Sequence, residues 1–392
     1  MASAVDEALL DDGNALVAAD PSGRLMALAT AGAQVREVMA RSEEAGVRRV
    51  ADDDRPRSVV VASLGGAALV ADVLALLAGP GSPVPVAVRR GPPLPGWVGP
   101  LDLVVAVSLS GRAAGPLALA AEAGRRGARL LTVGAAGSPL ADVCARARGV
   151  HVPVEQAPPS RPVSSRTGLW TLLIPVLRAA DALGLVDVPD EVLERVADRL
   201  DDEAEACRPS SESFVNPAKA LAVQLGGTVP LVLGDGPVTG VAARRSAAML
   251  ARTARTPAVH GSLPDDASEV VATFDGPFTS GARPDLFADP FLDAPTGPRL
   301  RLLLLREPAI APEDLPTADP DDVQRAALAD RVRGLAEDVG AMVTEVVAEP
   351  GHELERLAGL VARTDFAATY LALGLGLDPG VSPHVADLRE AR

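Results

Sequence analysis

Ser108 and Ser110 stand at alternate positions at the end of an apolar run, and Gly111 follows, opening an Ala-rich helical stretch (VVAVSLSGRAAGPLALAAEAG, 104–124). Two hydroxyls, a glycine that lets the backbone approach a ligand, and the free N–H groups of a helix start together suit an anion such as phosphate. The same pattern also fits an ordinary strand-to-helix turn whose serines cap the helix. A second turn of similar make, Ser63-Leu64-Gly65-Gly66-Ala67-Ala68, lies earlier in the chain. Ligands of doubly wound sheets sit outside the carboxyl ends of the strands, where both turns belong. Neither is a dinucleotide fingerprint, because no G-x-G-x-x-G is present, and no G-K-[ST] makes a P-loop. His151, His260, His352 and His384 are far apart, Cys144 and Cys207 form no C-x-x-C, and no G-x-S-x-G occurs. Neither a metal site nor any cofactor is expected.

The elements that would hold these turns form an α/β fold. Apolar runs at Val59–Ala62, Val84–Val88, Leu103–Val107, Leu130–Val133 and Val150–Val154 alternate with helical segments. Strands apolar on both faces, separated by helices, imply a mainly parallel sheet flanked by helices. A second set follows at Pro230–Leu233, Val270–Phe274, Leu302–Leu305 and Met342–Val347, with helical patterns at 238–254, 321–339 and 353–374. VVVASLGG and PLVLGDG each run into a helix, as a duplicated unit or two unrelated α/β domains would. We expect one domain over residues 1–185, led by a helix at 25–45, and another over 186–392. The stretch 155–165 reads as a connection. The Pro/Gly/Asp-rich stretch 276–299 contains Phe278, Phe287 and Phe291, and so reads as a loop pinned to the body or to a partner subunit.

The chain has 392 residues and a formal charge of −15, and Lys219 is its single lysine. An acidic surface repels polyanions, which argues against nucleic acid and anionic membranes as partners. Two cysteines and the absence of a basic, apolar leader fit a cytoplasmic protein. The apolar stretch 59–79 contains Gly65, Gly66 and Asp72 and reads as a strand running into a helix rather than a membrane span.

Six segments in order resemble the SIS (sugar isomerase) domain proteins, and within them the bifunctional phosphoglucose/phosphomannose isomerases. They are SLGGAALVAD at 63–72, SLSGRAAGP at 108–116, Ser165-Arg166-Thr167 through Pro175, NPAK at 216–219, ARR at 243–245 and YLALGLGLDP at 370–379. The resemblance implies two SIS domains, a sugar phosphate ligand and a homodimer. It places phosphosugar contacts at Gly65, Gly66, Ser108, Ser110, Gly111, Arg112 and Arg166.

The departures bear on chemistry. Arg112 and Ala113 replace an asparagine and a threonine of the family's SYSGNT-like loop, and Ala67 replaces a serine. The family's NENAK-like motif, whose glutamate moves a proton between sugar C1 and C2, corresponds to Ala251-Arg252-Thr253-Ala254-Arg255. An arginine, which stays protonated, stands at the base. The histidine-bearing PELNHNE-like segment corresponds to Pro264–Glu269 and has no histidine, and the family's C-terminal lysine falls on Arg389. Two readings follow: a phosphosugar-binding protein with impaired or lost isomerase chemistry, or an active aldose–ketose isomerase in which another group serves as base. His260, Asp265, Asp266 and Glu269 are the candidates for such a role, and Arg389, a weaker catalytic candidate, keeps the charge of the family's lysine without its proton transfer.

Overall fold

A computed structural model describes residues 5–79, 81–154, 164, 166–279 and 298–385. Contacts divide the chain into two units, one formed by Thr30–Asp201 and the other by Met1–Ala29 together with Asp202–Arg392. The sequence reading put a single boundary at 185/186, whereas the contact division falls at 29/30 and 201/202.

The N-terminal unit is built on β1 (Val59–Ser63), β2 (Val86–Arg89), β3 (Leu103–Ser108), β4 (Arg129–Ala135) and β5 (Val150–Val154). All pairings are parallel, in the order β2-β1-β3-β4-β5. Every residue of β1 and β3 is buried, as apolar runs covered on both faces require. One face packs Val60, Ala62, Val104 and Ala106 against Leu119, Ala120 and Leu140. The helix Leu169–Ala182 packs against the helix Ala31–Glu44 and also reaches the short Gly65–Ala67 turn.

The C-terminal unit carries β6 (Thr228–Gly234), β7 (Val259–Ser262), β8 (Arg299–Arg306) and β9 (Met342–Val347), again all parallel, in the order β7-β6-β8-β9. Its strands therefore repeat the order of the first four strands of the N-terminal unit. The helix Glu353–Gly374, buried along most of its length, packs on the helices Pro217–Leu225 and Pro237–Arg252. Two parallel sheets flanked by helices make the fold α/β, as the alternating runs imply.

Two sequence expectations need correction. Val270–Phe274 is not a strand; it lies in the helix Ala267–Ala272 and the following 3-10 turn, and the edge strand is Val259–Ser262. Val270 and Phe274 are four residues apart and both 3% exposed, so the run is a helical face packed on the core. VHGS, short and half polar, gave no strand signal. The expected helix at 25–45 is broken at Thr30 into Arg24–Ala29 and Ala31–Glu44. The tip of the loop at 280–297 and most of the 155–165 connection lie outside the described residues. Among the described residues no helix is long and apolar enough to cross a membrane, and no cluster of His, Cys, Asp and Glu is set to hold a metal.

Candidate functional site

In the sheet order β2-β1-β3, the chain leaves β1 and β3 for opposite sides, which makes their carboxyl ends the switch point of the N-terminal sheet. Both sequence turns fall there. After β1, Leu64 and Gly65 are exposed, and Gly65 takes φ +63° to open the Gly65–Ala67 turn. The Ser63 hydroxyl at the strand's end is buried and has no hydrogen-bond partner among the described residues. This first residue of the turn is thus a spare donor beneath it.

After β3 the loop is fixed by backbone bonds. The Gly111 N–H donates to Ser108 O (2.8 Å), Leu140 N–H to Gly111 O (3.1 Å) and Ala135 N–H to Leu109 O (3.1 Å). Gly111 has φ +63°, and a Cβ there would overlap Ser138 Oγ, so close packing as well as backbone conformation demands glycine. Ser108 Oγ accepts from Ala113 N–H and Ser110 Oγ from Arg112 N–H, each at 3.3 Å. The serines therefore do brace the turn, yet each hydroxyl keeps its own proton to donate. The helix Ala114–Arg125 has no side-chain cap, which leaves the N–H groups of Ala114 and Gly115 open. Arg112 is exposed beside them.

Arg166 is 9% exposed, and its N–H donates to Ser164 Oγ (3.2 Å). It lies three residues before the helix that reaches the Gly65–Ala67 turn. Gly65, Gly66, Ser108, Ser110, Gly111, Arg112 and Arg166 thus all belong to the N-terminal unit. A groove of about 320 Å³ elsewhere in this unit is lined by Arg36, Met39, Glu43, Arg178 and Asp190. There the Arg178 guanidinium is already held by Met39 O, Glu43 and Asp190.

The corresponding strand ends of the C-terminal unit are built differently. Asp235, after β6, is 4% exposed and accepts from the Glu307 N–H (2.8 Å) and from Thr239 Oγ1 (3.2 Å). The Glu307 side chain crosses Gly236 and pairs with Arg356 Nε at 2.9 Å. Burial pushes both carboxyl groups above the usual carboxylate range, and for Glu307 the neighbouring Asp235 adds to it. Carboxylates fill the place where an anion would sit.

His260 and Glu269 are exposed residues of this C-terminal unit, on β7 and on the helix Ala267–Ala272. Asp266 accepts from Ser262 N–H at 2.7 Å. Arg389 lies outside the described residues. Of the arginines in the 251–255 run, Arg255 donates from Nη2 to Asp378 O (2.9 Å) and to Val381 O, tying down the segment after the last helix. Arg252 contributes its charge to Asp365, which Arg245 binds through Nε and Nη2.

The fold defines an α/β protein whose N-terminal parallel sheet places two Gly/Ser turns at its switch point. Residues 214–391 match the family model of the bacterial phospho-glucose isomerase C-terminal SIS domain. A bifunctional phosphoglucose/phosphomannose isomerase of Caldicellulosiruptor bescii is 26% identical over 200 residues, 51% of this chain. That match spans only 57% of the relative's length. Among solved structures, a protein of Thermus thermophilus, TT0462, superposes with a TM-score of 0.68 at 16% identity, covering 98% of this chain and 94% of its own. A Silicibacter pomeroyi chain named as a phosphosugar isomerase gives 0.64 at 20% identity, covering 91% and 99%.

Proposed function

We propose that the protein binds a sugar phosphate at the carboxyl edge of its N-terminal sheet, with isomerase chemistry impaired or lost. The observation that carries this reading is the opposite charge of the two sheets' carboxyl edges. The segments leading from β1, β3 and β4 into their helices (64–67, 109–113, 136–138) contain Arg112 and no acidic residue. Those leading from β6 to β9 into theirs (235–236, 263–266, 307–319, 348–352) contain Asp235, Asp265, Asp266, Glu307, Glu313, Asp314, Asp319 and Glu349 and no arginine or lysine. In a chain of net charge −15, only the first edge is suited to a phosphate.

In this reading each residue has a role. Ser108 and Ser110 donate their hydroxyl protons, Gly111 lets the backbone approach, and Arg112 supplies charge where the resembling family uses neutral side chains. Gly65 and Gly66 close the site from β1, and Arg166 stands behind it. The loss of chemistry rests on Arg252, an arginine at the position of the family's base. A homodimer and a cytoplasmic location belong to the same proposal, and light scattering of the purified chain tests the first.

Calorimetric titration with fructose 6-phosphate should give saturable binding. Ser108→Ala with Arg112→Gln should weaken it by about tenfold or more, since a hydrogen bond to a charged group contributes roughly 1.5–3 kcal/mol. Unchanged affinity in that variant would remove the site. In D₂O, NMR should find no deuterium entering C1 or C2 of the sugar, and exchange above background would restore the isomerase.

A further inference from the structure

β2 ends on Arg89, Arg90 follows it directly, and both are exposed. Arg89 pairs in register with Ala62 of β1, and Ala62 pairs with Ala106 of β3. The two arginines therefore reach the same carboxyl edge as Ser108, two strand spacings across, about 10 Å. Ala87 packs against the core formed with Leu119 and Ala120, so Arg89, two residues on, shares the face covered by the helix Ala114–Arg125. A backbone contact fixes the arrangement. A Cβ on Gly115, in the first turn of that helix, would overlap the Arg90 carbonyl oxygen, so the β2 turn lies directly against the helix start. None of Arg89, Arg90 and Arg112 makes an ion pair among the described residues. Three arginines without carboxylate partners thus flank one uncapped helix start from two sides.

We infer that this edge has two anion subsites, and that its ligand is a sugar carrying a second phosphate. The proposal rests on the phosphosugar reading above and specifies its substrate class. One phosphate is held by Ser108, Ser110 and Arg112; the other, at the far end of the sugar, is held by Arg89 and Arg90. Arginine suits the second subsite because its guanidinium meets phosphate oxygens through paired N–H donors. A single phosphate would leave the β2 arginines without a role.

The test is calorimetry of the full chain with fructose 6-phosphate and fructose 1,6-bisphosphate, at roughly 0.15 M salt to screen diffuse attraction. The bisphosphate should bind about tenfold or more tightly, the effect of one added charge-assisted contact. Arg89→Gln with Arg90→Gln should abolish that preference and leave fructose 6-phosphate affinity unchanged. Both residues are exposed, and a thermal melt matching the parent verifies folding. Equal affinities in the parent, or a preference that survives the double substitution, would overturn the second subsite and leave the first standing. Failure of both sugars to bind would overturn the phosphosugar reading along with it.

Discussion

At the scale of residues, charges that do no chemistry account for much of the chain's buried polarity. Asp102 is fully buried at the amino end of β3, where Oδ1 accepts from Arg57 Nε (3.1 Å) and Ser58 Oγ (2.8 Å). Its Oδ2 accepts from Arg57 Nη2 (2.7 Å) and the Gly99 N–H (2.8 Å). Burial alone would raise this carboxyl group, but the bonds from Arg57, Ser58 and Gly99 outweigh it and hold it below its ordinary 3.8. A carboxylate lowered on folding stabilises fully above its unfolded value and loses that contribution as the pH falls through the folded one. Asp102→Asn should therefore cost about 1–3 kcal/mol at pH 7, and the gap in denaturant midpoint should close in the acid range below about pH 4. A gap constant with pH would show that packing, not charge, sets the cost. Arg57 is 56% exposed, so the larger share of that cost belongs to the buried bonds with Ser58 and Gly99.

At the scale of elements, the loop after β3 is held by more than its sequence suggests. Gly65 and Gly111 both have φ +63°, but the space around Gly65 is open, whereas Gly111 is packed against Ser138. Gly65→Ala should cost only the left-handed strain of about 1–2 kcal/mol. Gly111→Ala should cost more and weaken sugar phosphate binding, because Ser138 also caps the helix Pro139–Arg146 and cannot simply move aside. Denaturation and titration of the two variants make the comparison, and equal losses would contradict it. Long helices were legible: the 353–374 pattern is the helix Glu353–Gly374, and 321–339 is Pro320–Asp338. The short edge strand Val259–Ser262 was not, because four half-polar residues leave no period to read, while Val270–Phe274 looked like a strand only when its helical spacing was ignored.

At the scale of the whole chain, the first described residues pack within the C-terminal unit. The Asp6 N–H donates to Gly374 O at 2.8 Å, and the single lysine completes the joint. Lys219 is fully buried, and its Nζ donates to Leu10 O, Pro209 O (2.7 Å) and Ser211 O (2.6 Å), 5.5 Å from the Tyr370 ring centre. Asn216 caps the same helix through the Ala218 and Lys219 N–H groups, so the NPAK motif is a structural clamp. Lys219→Met should leave these carbonyls unsatisfied, at about 1–3 kcal/mol for a buried group so stranded, and should speed amide exchange in residues 7–19. Protection unchanged there would show that the N-terminal segment is held by its apolar contacts alone. The sequence by itself determined the strand–helix alternation, the two Gly/Ser turns, the arginine at position 252 and the overall charge, since each is written in local residue order and period. Only the tertiary structure decided that Arg89 and Arg90 share an edge with Ser108, that the second sheet fills its own switch point with Asp235 and Glu307, and that Lys219 is a clamp. Those relations depend on strand order and side-chain packing between segments far apart in sequence.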